Sequence, residues 1–193
     1  MSPLFTRTGD DGTTHLLGEG RVAKSHPRIE TLGALDEASA ALGLARSMSK
    51  ANEIGNILVQ VQRDLYALMA EVAATPENVT RFRTLNSARV DWLEAQTEAV
   101  SKLIPPPKEF ILPGETPGAA ALSLARTVVR RAERRLAGLL ETGEVENKVL
   151  LQYLNRLSSL CFALELLENQ QAGKATTLAK TPQATPAKPP QGD

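Results

Sequence analysis

Between Ile54 and Val72 the apolar residues Ile54, Ile57, Leu58, Val61, Leu65, Leu68, Met69 and Val72 recur at spacings of three and four. That period is one face of an α-helix, and it excludes a strand, whose faces alternate every second residue. Thr75-Pro76 predicts its end, because the residue before a proline avoids the α region. The same period recurs elsewhere. From Pro27 onward Leu32, Leu35, Ser39 and Leu42 form a stripe, with Gly33, Ala34, Ala40 and Gly43 beside it. A third helix is predicted from about Ser87 to Lys102, through Val90, Leu93, Val100 and Leu103. Thr116-Pro117 reads as an N-cap followed by proline at the first helical position, and Gly143 ends the helix that starts there. The last helix covers about Asn147 to Asn169, with Val149, Leu150, Tyr153, Leu154, Leu157, Leu160, Cys161 and Leu164 on its apolar side. Five helices on short connections predict an all-α, antiparallel bundle.

Aromatic residues make up only 4% of the chain, so leucine, alanine and valine have to build the core. The segment "PPPKEFILPGETPG" from Pro105 is too rich in proline to be helical. From Ala172 the text "AGKATTLAKTPQATPAKPPQGD" has the composition of a disordered tail. The expected organisation is an irregular N-terminal segment over 1–26, a helical bundle over 27–171 forming one domain with it, and a tail over 172–193. The N-terminus "MSPLFTRTGDDG" lacks the apolar stretch of a signal peptide. No apolar run approaches the roughly 20 residues that span a bilayer. Cys161 is the single cysteine and has no partner for an intrachain disulfide. A cytoplasmic protein is expected. His15 and His26 have no thiol cluster near them, so no zinc site is expected.

Basic and acidic residues balance at 22 each. Such a chain is not a general binder of nucleic acid or anionic membrane. Yet "LSLARTVVRRAERRLAG", from Leu122, holds five arginines and one acid. At about 100° per residue, Ala121, Ala125, Val128, Val129, Ala132, Leu136 and Leu139 share one arc. Arg126, Arg130 and Arg134 fall on one flank with Glu133 beside them, and Arg131 and Arg135 on the other. Read alone, the flank is either a solvated face partly relieved by Glu133 or a site for an anion, which guanidiniums grip in a bidentate fork. The segment "TRTGDDGTTHLLGEGRVAK" also has two readings. Asp11-Gly12 is a type I′ signal for a β-hairpin. Its glycines and threonines also suit a loop wrapping phosphates with backbone N–H groups and hydroxyls. It is not a Walker A motif, because GxxxxGK[ST] is absent.

Four motifs occur in order: "TRTGDDGTT", "GRVAKSHPRIETLGALDE", "FILPG" with "TPGAAALSLARTVVRRAERR", and "LLQYLNRLSSLCFAL". Together they resemble the PduO-type ATP:cob(I)alamin adenosyltransferases over about Phe5 to Leu167. The resemblance implies a ferritin-like five-helix bundle, assembled as a homotrimer with active sites between subunits. It implies transfer of the 5′-deoxyadenosyl group of ATP to cob(I)alamin, giving adenosylcobalamin and triphosphate, with Mg2+ accompanying the ATP. A reductase or an adenosylcobalamin-dependent enzyme is an implied further partner.

Carried over residue by residue, the family's nucleotide loop falls on Thr6, Arg7, Thr8 and Gly9, then Thr14 and His15, and its lysine on Lys24. The arginine element falls on Arg130, Arg131, Glu133 and Arg134, and the late asparagine on Asn155. Arg126 matches an arginine that pairs with an aspartate, here Asp36. Phe110 matches an aromatic that lies against the corrin and helps exclude its lower axial ligand. Without the resemblance, Asp36 and Arg126 read as ordinary exposed charges, Phe110 as a plug for the bundle end, and Asn155 as a capping or surface amide. His15 suits backbone contacts better than base catalysis, His26 has no assigned role, and Cys161 belongs to the core. The chain departs from the family at Gly114-Glu115, where two glycines are frequent, and at Ser123, where a histidine is common.

Two other functions are compatible with a helical chain of this kind. All-α nucleoside triphosphate pyrophosphohydrolases hold magnesium between carboxylate clusters on helices, but Glu94 with Glu98 and Glu165 with Glu168 are isolated pairs. A non-catalytic helical oligomer binding RNA or protein through the arginine face is opposed, for RNA, by charge neutrality and the shortage of aromatics.

Overall fold

The computed structural model describes residues 5–104 and 106–180. Five long helices carry the fold: α1 (Pro27–Met48), α2 (Asn52–Ala73), α4 (Ser87–Leu103), α5 (Pro117–Glu141) and α6 (Lys148–Gln171). The sequence does not announce the single turn α3 (Val79–Phe82) or the full extent of α6, which runs past Asn169 to Gln171. Polar caps start three of the helices where expected. Thr116, Asn86 and Asn147 each accept a backbone N–H of the first turn, and Pro117 follows Thr116.

Cross-helix pairs define the directions. Glu30 and Glu37 of α1 meet Arg135 and Arg131 of α5, so these helices are antiparallel. Asn155 of α6 donates to Glu133 of α5 in the same sense. Arg89 and Glu94 of α4 lie at the levels of Tyr153 and Arg156 of α6, so α4 and α6 run parallel. Consecutive helices therefore alternate up and down, and α4 fits beside α6. Their apolar faces form one core in which Leu35, Leu42, Leu58, Leu65, Leu93, Leu122, Leu136 and Leu154 are wholly buried. Each such side chain stabilises the fold by about 1.5–3 kcal/mol.

Three buried polar groups close the bundle. Asp64 of α2 accepts from Arg89 at 2.7 Å and from the Tyr153 hydroxyl at 2.8 Å. Glu71 accepts from Arg83 and Asn147. Arg28, 6% exposed, donates to the carbonyls of Val72 and Ala74 and pairs with Glu144. The Arg28 contact holds the Glu144 carboxyl below its usual range. Buried charges persist only when paired in this way.

The N-terminal segment forms a two-stranded antiparallel sheet, β1 (Thr13–His15) and β2 (Arg21–Ala23). A hairpin is present, but its turn lies between His15 and Arg21. Asp11-Gly12 precedes the first strand, and only Gly12 of that pair has positive φ, whereas a type I′ turn needs both. Asp11 instead accepts from Thr13 and Arg21, which closes the loop locally. Leu17 exchanges backbone hydrogen bonds with Ala73 and Thr75, docking the segment on the end of α2. Gly18 permits that approach: a Cβ there would sit 1.9 Å from the Thr75 hydroxyl.

The expectation of disorder from Ala172 fails over 172–180. There the chain returns along the loop before α5, with Ile111 bridging Leu178 and backbone bonds joining Leu112 to Thr177 and Ala179 to Phe110. Composition missed this because the hydrogen bonds are made by the backbone, with a partner more than 60 residues away. The remainder of the expected tail, 181–193, lies outside the described residues, as does Pro105.

Candidate active site

A cavity of about 740 Å3 opens where α4 and α6 end and α5 begins. Helix α5 contributes Ser123, Arg126, Thr127 and Arg130, and α6 contributes Ser158, Phe162 and Glu165. The extended loop across its mouth contributes Phe110 and Ile111. Arg126 and Arg130, from the arginine helix, and Phe110, from the preceding "FILPG" stretch, thus share one wall. Phe110 is 86% exposed. A plug for the bundle end would be buried, so that reading of Phe110 does not hold. Its loop is held from outside by the 177–179 segment, by Lys180 against Glu109 at 3.6 Å, and by Glu115, which accepts from the Thr177 N–H. Glu115 therefore has a structural partner that a glycine in its place would lack.

The helical geometry of α5 sorts the arginines as their angles predict. Arg131 pairs with Glu37 and Arg135 with Glu30, so this flank is tied to α1. Arg126 faces α6, with its guanidinium 5.8 Å from the Phe162 ring centroid. Arg130 and Arg134 are exposed and make no ion pair among the described residues. Glu133 is engaged by Asn155, which is itself bonded to Arg156. Arg131 is consequently the one residue of the arginine element whose charge is already matched inside the chain.

Asp36 stands on the exposed face of α1 and makes no ion pair among the described residues, so the expected contact with Arg126 is not formed within one chain. The nucleotide-loop residues likewise stay apart from the arginines. Thr6 and Thr8 share a hydroxyl hydrogen bond of 2.8 Å, and Lys24 lies against Gly9. Thr14 and His15 sit in β1. Arg7 has φ 61°, a left-handed conformation that a non-glycine residue adopts at a cost of about 1–3 kcal/mol. No hydrogen bond or salt bridge among the described residues joins 6–24 to Arg126, Arg130, Arg131 or Arg134. The reason is topological: the hairpin sits at the α2 end of the bundle, beside the start of α1, while the cavity lies at the start of α5.

Among the cavity residues without a ligand role in the sequence reading are Glu165, which figures there only in a carboxylate pair, and Phe162. A signal was present for Glu165, which stands four residues after Cys161 and eight after Leu157, on the apolar stripe of α6. Cys161 is buried, and burial pushes its thiol up to about 12, so it is an inert core residue. Of the two carboxylate pairs, Glu94 is held by Arg156 and Glu168 by Ser49. No group of three His, Cys, Asp or Glu is arranged for a metal ion among the described residues. Nor, among them, is any helix long and apolar enough to cross a membrane.

The architecture defines a class, an up-and-down helical bundle whose arginine-bearing helix fronts an open cavity with an aromatic lip. The family model described as cobalamin adenosyltransferase matches residues 4–168. Corrinoid adenosyltransferase PduO of Citrobacter freundii is 39% identical over 178 residues, covering 92% of this chain and 53% of that protein. The corrinoid adenosyltransferase of Mycobacterium tuberculosis is 38% identical over 173 residues, covering 88% of this chain and 90% of that one. A variant PduO-type ATP:corrinoid adenosyltransferase from Lactobacillus reuteri, complexed with cobalamin and ATP, superimposes with a TM-score of 0.85 at 31% identity. That likeness covers 92% of this chain and 96% of the other. The chain spans about half the length of the PduO relatives it matches. It belongs to the cobalamin adenosyltransferase family.

Proposed function

We propose that the protein transfers the 5′-deoxyadenosyl group of ATP to cob(I)alamin, forming adenosylcobalamin and releasing triphosphate. The observation that carries this reading is the shared wall of Arg126, Arg130 and Phe110, which puts two cations and an exposed aromatic on one cavity. The reduced cobalt supplies the electron pair. The Co–C5′ bond forms, the C5′–O bond breaks, and the leaving oxygen departs with the triphosphate. No general base is required, so the absence of an acid–base pair from the proposed roles is consistent. The protein's part is position and charge. Arg130 and Arg134 carry unmatched charge where a polyanion gains most from guanidinium donors, and such donors stabilise charge growing on the leaving oxygen. Mg2+ would arrive on the phosphate oxygens. Phe110 would lie against the corrin and keep a lower axial ligand away, which eases reduction of cob(II)alamin.

The nucleotide loop and the arginines belong to one site only if a second copy brings them together. A trimer with sites between subunits meets that requirement. Leu44 and Met48 of α1 and Leu124 of α5 are exposed, apolar surface suited to burial against another copy. Asp36 of one copy would then pair with Arg126 of the next. Mixing the protein with magnesium-ATP and chemically reduced cobalamin tests the reading. Adenosylcobalamin is expected in the absorption spectrum, with an equal amount of triphosphate. Pyrophosphate formed without reduced cobalamin would refute it in favour of a nucleotide hydrolase.

A further inference from the structure

Glu165 is 1% exposed, lines the cavity, and has a buried Oε1 that makes no hydrogen bond among the described residues. Its polar neighbours come from α5: Ser123 and Arg126 both favour its ionised form, and burial opposes them and leaves the carboxyl above its usual range. No ion pair links it to Arg126 among the described residues. On α6, Phe162 stands beside it in the cavity wall and the neutral Cys161 thiol lies one turn away. Arg130 from α5 and Lys108 and Glu109 from the loop are the other charged groups lining the cavity. A buried carboxyl oxygen with no partner is costly. Such groups are few in native proteins, and a functional role is one reason they are retained.

We propose that Glu165 is a specificity residue that accepts an N–H from a primary carboxamide on the rim of the corrin substrate, and so selects amidated corrinoids over those with free acid side chains. This rests on the corrinoid-transfer reading above. The corrin macrocycle is fringed with acetamide and propionamide groups. An amide N–H can donate to a carboxyl oxygen in either protonation state. A free carboxylate at the same place would set two acidic groups against each other in a desolvated wall. Arg126 does not reverse that preference, because its guanidinium is turned to the Phe162 ring and forms no ion pair with Glu165 among the described residues.

The test uses the full chain and two corrinoids that both lack the nucleotide tail: cobyric acid, with amidated side chains, and cobyrinic acid, with free acids. Binding of each is measured for the wild type, Glu165→Leu and the near-isosteric Glu165→Gln. The wild type should prefer cobyric acid by about tenfold or more, the worth of one well-placed hydrogen bond. Glu165→Leu should lose affinity for cobyric acid and shrink the preference to within about threefold. Glu165→Gln should hold cobyric acid but admit cobyrinic acid. Thermal unfolding separates this from a packing role: Glu165→Leu without ligand should unfold at the wild-type temperature or higher, since an unpaired buried carboxyl is removed. A preference unchanged in both variants overturns the proposal, as does a lower unfolding temperature with wild-type selectivity. A wild type that binds neither these corrinoids nor cobalamin sinks the transfer reading and this inference together, whereas bound corrinoid with variant-independent selectivity sinks this inference alone.

Discussion

Arg130→Ala isolates the charge proposed to grip the triphosphate. Arg130 is exposed and makes no ion pair among the described residues, so its removal should change folding stability by no more than about 0.5 kcal/mol. Its expected contribution to the bound nucleotide is one to two charged hydrogen bonds. At about 1.5–3 kcal/mol each, and allowing for the open site, a loss of about 2–4 kcal/mol follows. At about 1.4 kcal/mol per decade that is roughly 30- to 1000-fold in kcat/KM for ATP. Arg130→Lys should fall between, because lysine keeps the charge but loses the planar fork. Arg135→Ala is the internal comparison. Its guanidinium lies 3.7 Å from Glu30 on the α1 side, so its kinetic effect should stay within about threefold. The assay is steady-state formation of adenosylcobalamin with prereduced cobalamin and varied ATP, alongside thermal unfolding. Near-wild-type kinetics for Arg130→Ala, or equal losses at Arg130 and Arg135, would refute the division of α5 into a ligand flank and a structural flank.

Phe110→Ala should impair turnover from cob(II)alamin at least about tenfold more than turnover from prereduced cob(I)alamin, and equal losses would remove its proposed role in excluding the axial ligand. Asp36→Ala should weaken assembly and activity together, read by size-exclusion chromatography and turnover; an unchanged trimer with full activity would rule out a pairing with Arg126 across copies. The Glu144 carboxyl, lowered by Arg28, should contribute stability that is present above the ordinary glutamate range and is lost as pH falls through the lower folded-state value. Glu144 is exposed although Arg28 is buried, so a difference of under about 1 kcal/mol between the wild type and Glu144→Gln is expected above that pH, closing in acid; a difference that grows on acidification would contradict the sign.

The helices and the two flanks of α5 were legible in the sequence because they depend on local order: a period near 3.6, a cap, a proline, a glycine. The same arithmetic sets Arg126 and Arg130 apart from Arg131 and Arg135. The resemblance added names for the loop residues but not their positions. What the tertiary structure alone decided was proximity across long separations. It put Phe110 on the wall with Arg126 and Arg130, tied the 177–179 backbone to the Phe110 loop, and buried Glu165 with an unpartnered oxygen beside Ser123. It also kept the hairpin and Asp36 away from the arginines within one chain. Such contacts follow from which helix ends share a pole of the bundle, and that is set by packing of the whole core, which no window of neighbouring residues encodes.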